Sequence, residues 1–308
     1  MTTPRLLTYN AAVVAREMIS DSLSIFRIAL DPESGEIPDF IPGQYLVLGA
    51  NNERDPTKGS VRRSYSICSQ PEEKRYFEFF VRASKHHYTD NPMTEQLWRM
   101  QVGSRLWVGP KITGNFTIDH TVGRNDPRLK ILVGSGTGIG PFVSLVRHAA
   151  AARDPSRIAR LRVLYGARYP EELAYQTELL ALNDAGQTRY LASVSRSPER
   201  PDWPGFTGRI ETLFDRPDID TLLGLDTGDF DPGHTVIYIC GQQGTISETI
   251  RRLLPKGFVP HDRRLKRVLG IAEEEPSSLF FEQYDATPIF DIQNQQIVQE
   301  LKALRQRA

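Results

Sequence analysis

The chain has 308 residues, 39% hydrophobic and 25% charged, with 38 basic and 38 acidic side chains that cancel to zero formal charge. That length fits about two domains with buried cores, and the neutral balance gives no reason to expect nucleic acid or an anionic membrane as partner. Two cysteines, Cys68 and Cys240, exclude a disulfide framework or any site needing four thiolates from this chain; no apolar run is long enough to span a bilayer, and MTTPRLLTYN holds no apolar signal region, so a cytoplasmic protein is expected.

Five short runs rich in β-branched and aromatic residues come first: LSIFRIAL (23–30), GQYLVLGA (43–50), RSYSICS (63–69), YFEFFVRAS (76–84) and SRLWVGP (104–110). Turn residues punctuate them, which predicts strands, and their close spacing predicts a small antiparallel barrel or sandwich. One helix interrupts, over residues 93–100. His86–His87, just before it, lack metal-ligand spacing and read as a solvated loop. The polar stretch RNDPRLK (124–130) is the expected linker.

Beyond the linker the pattern alternates. Strand-like LKILVG (129–134), LRVLYG (161–166), TRYLASVS (188–195) and TVIYIC (235–240) are followed by predicted helices over 141–152 and 171–185, a short helical turn near Ile210, and a helix over 246–254. Such alternation predicts a parallel sheet covered by helices and joined by right-handed crossovers. SSLFFEQY (277–284) reads as one more strand. In the tail, Ile297, Val298, Leu301 and Leu304 share one helical stripe, expected to pack on its own domain rather than form a dimer seam.

Two strings carry chemistry. In VGSGTGIGPF (133–142) a strand gives way to a helix, and Gly134, Gly136, Gly138 and Gly140 allow a tight turn with outward N–H groups, a place for a pyrophosphate. The spacing is not G-x-G-x-x-G, since Ile139 takes the third glycine's place, and the next strand ends at Arg168 rather than an acid. A structural turn is therefore an equal reading. In RRSYSICS (62–69), Arg63 offers a forked cation for phosphate. Tyr65 points to the same side of the strand and offers a ring for stacking, and Ser66 can bond a polar ring edge. Together they describe a flavin nucleotide site; the alternative is an ordinary amphipathic strand.

R-x-Y-S-x-x-S (Arg63, Tyr65, Ser66, Ser69) resembles the flavin signature of the ferredoxin–NADP(+) reductase superfamily. PGQY (42–45), MTEQLWRMQVGSRLWVGPKITGNF (93–116), GSGTGIGPF (134–142), VSR (194–196) and CG (240–241) resemble its further motifs in order, and ARYPEELAYQ (167–176) looks most like its bacterial branch, the flavodoxin/ferredoxin–NADP reductases. The resemblance implies two domains: an antiparallel β-barrel for FAD (1–123) and a Rossmann-like α/β parallel sheet for NADP(H) (124–284), with a C-terminal helical extension (285–308). Arg63 would bind the FAD pyrophosphate, with Thr94 meeting it from the short helix. Tyr65 would stack on one isoalloxazine face, and Ser66 would face N5. Ser64, Phe80, Val81 and Met93 would complete the FAD contacts. Gly136, Thr137 and Gly138 would take the dinucleotide pyrophosphate. Cys240 would line the nicotinamide site, Glu282 would make a proton contact near it, and Tyr284 would cover the other flavin face, with Phe290 as the alternative ring.

The implied activity is hydride transfer from NADPH to flavin N5, then single-electron steps to ferredoxin or flavodoxin. The runner-up is a reductase component of an oxygenase, or an NAD(P)H:flavin reductase, on the same fold. A non-catalytic flavin-binding subunit is the third reading. Arg196 matches a family arginine for the 2′-phosphate, but Ser247 stands where bacterial relatives tend to carry a second; Arg209 or Arg251 would substitute. Lys58, Arg62 and Lys85 are candidates for a transient electrostatic docking face, and a monomer is favoured. Two departures stand out: RASKHHYTDNP (82–92) is longer than the compact bacterial form, and the tail continues past the family's aromatic ending.

Overall fold

The computed structural model of the chain describes residues 6–83, 92–152, 154–284 and 287–307; Lys85 and His86–His87 lie outside them. The described chain forms two compact units, one comprising Met1–His120 and Gly140–Ala151, the other Thr121–Ile139 and Ala152–Ala308.

The first unit contains β1 (Ala11–Ser20), β2 (Leu23–Leu30), β3 (Tyr45–Asn51), β4 (Ser60–Ser66), β5 (Phe77–Arg82) and β6 (Arg105–Thr113). They pair antiparallel in the order β4-β3-β6-β1-β2-β5. Just beyond β4 the Cys68 N–H donates to the Glu78 carbonyl at 2.8 Å, drawing the two end strands of the sheet together. Buried Phe26, Ile28, Leu46, Leu48, Phe77 and Phe79 fill the interior. Strand β1 is an addition to the predicted set. Its first residues alternate inward as strands should, but Arg16 and Glu17 then break the apolar pattern. Helix α1 (Met93–Arg99) packs on β3 and β4, and α2 (Ile118–Thr121) follows β6.

Helix α3 (Gly140–Ala151) completes this unit. Its Ser144 hydroxyl donates to the Ser69 carbonyl at 2.7 Å. Its Arg147 reaches the fully buried Glu78 carboxylate at 2.7 Å, which Arg27 of β2 holds from another side at 2.8 Å.

The second unit contains β7 (Leu129–Ser135), β8 (Leu161–Ala167), β9 (Arg189–Val194), β10 (Phe206–Thr207), β11 (Thr235–Gly241) and β12 (Leu279–Gln283), all parallel in the order β10-β9-β8-β7-β11-β12. The chain starts at β7, winds outward to β10, then returns on the other side of β7 with β11. The carboxyl ends of β7 and β11 therefore flank a topological switch point, where ligands bind in open α/β sheets. Helices α4 (Pro155–Ala159), α5 (Gln176–Asp184), α6 (Ile219–Leu223), α7 (Gln243–Leu253), α8 (Arg263–Leu269) and α9 (Gln295–Arg305) accompany the sheet. Among the described residues, no helix is long and apolar enough to cross a membrane.

Three predicted boundaries change. The helix expected over 171–185 is broken: a short 3₁₀ turn covers Pro170–Glu172, Tyr175 adopts φ 63°, and α5 begins at Gln176. The break coincides with burial of the Glu172 carboxylate against Arg168, which holds the chain in a turn. The helix expected from Ile246 starts three residues earlier, at Gln243. The expected linker 124–130 is tightly tied: the buried Lys130 ammonium donates to the Asp126 carboxylate at 2.8 Å and to the Arg128 carbonyl at 2.7 Å. The tail helix meets its expectation. Leu301 is fully buried, Ile297 and Leu304 pack on the same core, and Arg251 of α7 binds Glu300 at 2.8 Å.

Candidate functional site

On the first unit, Arg62, Arg63 and Ser64 are exposed along β4, an end strand of its sheet, while Tyr65 and Ser66 are half-buried. Arg63 and Tyr65 lie two apart and so face one side of the strand. The Tyr65 ring meets Phe79 edge-on with centroids 6.3 Å apart. Its hydroxyl is buried and has no hydrogen-bond partner among the described residues, and burial pushes the phenol well above its ordinary pKa, against a smaller opposing pull from Arg63. A buried donor without an acceptor is costly unless a bound group supplies one, so the strand fits a polar planar ligand. Thr94 stands in the first turn of α1, half-buried. Met93, Phe80 and Val81 are buried. Of the docking candidates, Arg62 lies over its own Trp107, 4.7 Å from the ring centroid.

On the second unit, β7 ends at Ser135 and a 3₁₀ turn, Gly136–Ile139, follows. Gly136 has φ +55°, a conformation that only glycine adopts at no steric cost. A Cβ on Gly138 would stand 2.0 Å from the Cys240 carbonyl oxygen, so the loop lies flush on the end of β11. The Ser135 hydroxyl at this spot is buried and has no partner among the described residues. The bare backbone and the orphaned hydroxyl fit a phosphate group.

Around this loop the chain gathers three of the expected residues. The buried Cys240 thiol donates to the Tyr284 hydroxyl at 3.2 Å, and that hydroxyl donates to the Thr137 carbonyl at 3.3 Å. Glu282 sits opposite Cys240 in the β11–β12 register. Tyr284 remains 49% exposed even so. Phe290, the alternative ring, is instead buried in the core of this unit.

At the other end of the sheet, Val194 pairs with Thr207. Arg196 and Arg209 each follow that pair by two residues, and both are exposed. Both arginines thus follow neighbouring strands at the carboxyl edge. Arg196 bonds the Tyr169 hydroxyl at 3.0 Å. Arg209 pairs with the Glu211 carboxylate. Arg251, the other candidate for the second arginine, binds Glu300 at 2.8 Å and Glu248 at 3.4 Å, and lies 4.9 Å from the Phe290 centroid. Ser247 is buried, its hydroxyl turned to the Gly244 carbonyl at 3.3 Å.

Two participants escaped sequence reasoning. Gln243 donates to the Ile289 carbonyl at 2.8 Å and so ties the tail to the start of α7. Glu211 is the other, because nothing in "GRIET" distinguishes a buried carboxylate from a surface one.

Residues 10–116 match the family described as oxidoreductase FAD-binding domain, and residues 132–250 that described as oxidoreductase NAD-binding domain. The chain is similar to ferredoxin–NADP reductase B of Sorangium cellulosum, 31% identical over 191 residues, 61% of this chain and 70% of that one. It is also similar to sulfhydrogenase 1 subunit gamma of Pyrococcus furiosus, 25% identical over 82% of this chain and 77% of that one. Among solved structures, a ferredoxin NADP+ reductase from Neisseria gonorrhoeae with bound FAD and NADP shares the fold, with a TM-score of 0.70, 23% identity, and coverage of 90% of this chain and 98% of that one.

Proposed function

The chain belongs to the ferredoxin–NADP(+) reductase superfamily, and we propose that it transfers electrons between NADPH and a small one-electron carrier, ferredoxin or flavodoxin. It is an oxidoreductase with an FAD-binding and a nicotinamide-nucleotide-binding domain. Bound flavin would supply the two-electron to one-electron conversion; the side chains supply placement. In this reading Arg63 and Thr94 hold the FAD pyrophosphate, Tyr65 supports the ring system with its hydroxyl turned to the ligand, and Ser66 faces the reactive edge. Gly136, Thr137 and Gly138 receive the nucleotide pyrophosphate. Cys240 walls the nicotinamide, and Glu282 exchanges a proton beside it. Tyr284, bonded to Thr137 and Cys240, stands where nicotinamide must enter and has to swing away, which makes it a gate.

The observation that carries the preference for NADPH is the pair Arg196 and Arg209, both exposed and each two residues beyond the paired carboxyl ends of β9 and β10. Each charge-assisted hydrogen bond to a 2′-phosphate contributes roughly 1.5–3 kcal/mol, or about tenfold to a hundredfold in affinity. An anaerobic titration of the purified protein tests this by following flavin absorbance as NADPH or NADH is added. Bleaching at much lower NADPH concentration is expected. A protein without flavin, or with flavin that neither nucleotide reduces, would sink the reading. Equal bleaching by both would favour a second reading, a reductase component serving a partner subunit, which the similarity to sulfhydrogenase subunit gamma supports.

A further inference from the structure

Arg209, a member of the expected phosphate clamp, has 54% of its side chain open, yet its partner Glu211 is only 1% exposed. The contact runs from Arg209 Nε to Glu211 Oε1. Glu211 Oε2 is buried and has no partner among the described residues. Buried half-satisfied carboxylates are rare and each calls for a reason. Drawing Arg209 away would leave an unpaired buried charge, a severe penalty, so the guanidinium is pinned at its Nε edge. The carboxylate itself sits in a packed segment. It belongs to the 3₁₀ segment Ile210–Asp215, anchored by buried Ile210, Leu213 and Phe214, and Ile210 presses so closely on β8 that a Cβ on Gly166 would lie 2.9 Å from it. On its other side Arg209 has bare backbone: a Cβ on Gly244, in the first turn of α7, would come within 3.2 Å of Nη2.

We propose that Glu211 is a positioning residue for 2′-phosphate recognition: it grips Arg209 by Nε and leaves the two-pronged Nη end, which lies beside the Gly244 backbone, for a phosphomonoester. This rests on the reading of Arg209 as a phosphate ligand. The geometry explains how the chain compensates for Ser247 and for an Arg251 engaged with Glu300 and Glu248. An exposed arginine held in one orientation loses less rotamer freedom per hydrogen bond formed than a free one.

The test measures calorimetric binding of adenosine 2′,5′-bisphosphate and of 5′-AMP to the flavin-loaded protein, alongside KM for NADPH and NADH. Glu211→Gln keeps the shape and removes the charge. It is expected to weaken the bisphosphate by about fivefold to thirtyfold, the scale of a misplaced charge-assisted bond, and to leave 5′-AMP unchanged. Arg209→Ala should weaken the bisphosphate at least as much, and Arg209→Ala/Glu211→Gln no further, because the two act as one unit. Arg209→Lys, at an exposed position that does not perturb the core, should also lose discrimination, since a lysine gripped by the carboxylate has no second donor edge. Tighter bisphosphate binding by Glu211→Gln would show a carboxylate that competes with phosphate, and an equal loss for both ligands would show a merely structural one; either overturns the proposal, as would full discrimination in Arg209→Lys. If Arg209→Ala leaves the bisphosphate untouched, the reading of Arg209 itself fails instead.

Discussion

The Tyr284 hydroxyl accepts from Cys240 and donates to the Thr137 carbonyl, and each such bond contributes a net of about 0.5–1.5 kcal/mol. Tyr284→Phe keeps the ring and removes both ties. The KM for NADPH is expected to fall by about twofold to tenfold, with flavin content unchanged; an unaltered KM in steady-state assays would mean the hydroxyl does not hold the gate. Gly138 poses the opposite test. A methyl there would meet the Cys240 carbonyl at 2.0 Å, and overpacking of this kind costs about 1–3 kcal/mol. Gly138→Ala should lower the thermal midpoint and slow flavin bleaching by NADPH, both read on one purified sample. The sequence pointed to Tyr284, Thr137 and Cys240 one by one. Their common meeting point was not legible, because hydrogen bonds between residues 44 and 147 apart in the chain follow from sheet order and not from spacing.

Helix α9 shows what periodicity can and cannot reveal. Its stripe identified the buried face, and Leu301 proves to be 0% exposed within the core of the second unit. Leu301→Ala is expected to cost about 2–5 kcal/mol, measurable as a lower urea midpoint. What periodicity could not reveal is the break before α5, where Tyr175 turns left-handed, since the burial of Glu172 against Arg168 that accompanies it is a tertiary preference. Strand β1 was overlooked for a similar reason: Arg16 caps its charge over Phe26 and Trp98, 5.0 Å from each ring centroid, and so tolerates a half-buried site. In the segment before β7, burial opposes ionisation of Asp126, but hydrogen bonds from Arg128 and Lys130 outweigh it and hold the carboxyl below its ordinary value. Because the folded state binds this proton less readily than the unfolded chain, the stabilisation is complete above the unfolded value of about 3.9 and is lost as pH falls through the folded one. Unfolding free energy should therefore decline below about pH 4, and Asp126→Asn should flatten that decline while lowering stability at neutral pH, as urea titrations at the two pH values would show.

Across the whole molecule, the alternation of strands and helices foretold the parallel sheet, and the run of short strands foretold the antiparallel one. Neither disclosed that α3, which follows the glycine loop directly in sequence, belongs with the antiparallel strands. That membership limits how modular the protein can be. The chain leaves the first unit at His120, re-enters it at Gly140 and leaves again after Ala151. A fragment ending at residue 120 would keep the buried Glu78 but lose Arg147, and would strand the Ser69 carbonyl that Ser144 satisfies. Grafting the first unit onto another reductase would therefore require transplanting α3 with it. Melting either unit pulls on the chain of the other at three crossings, so scanning calorimetry of the intact protein should record one transition where two separable modules would give two.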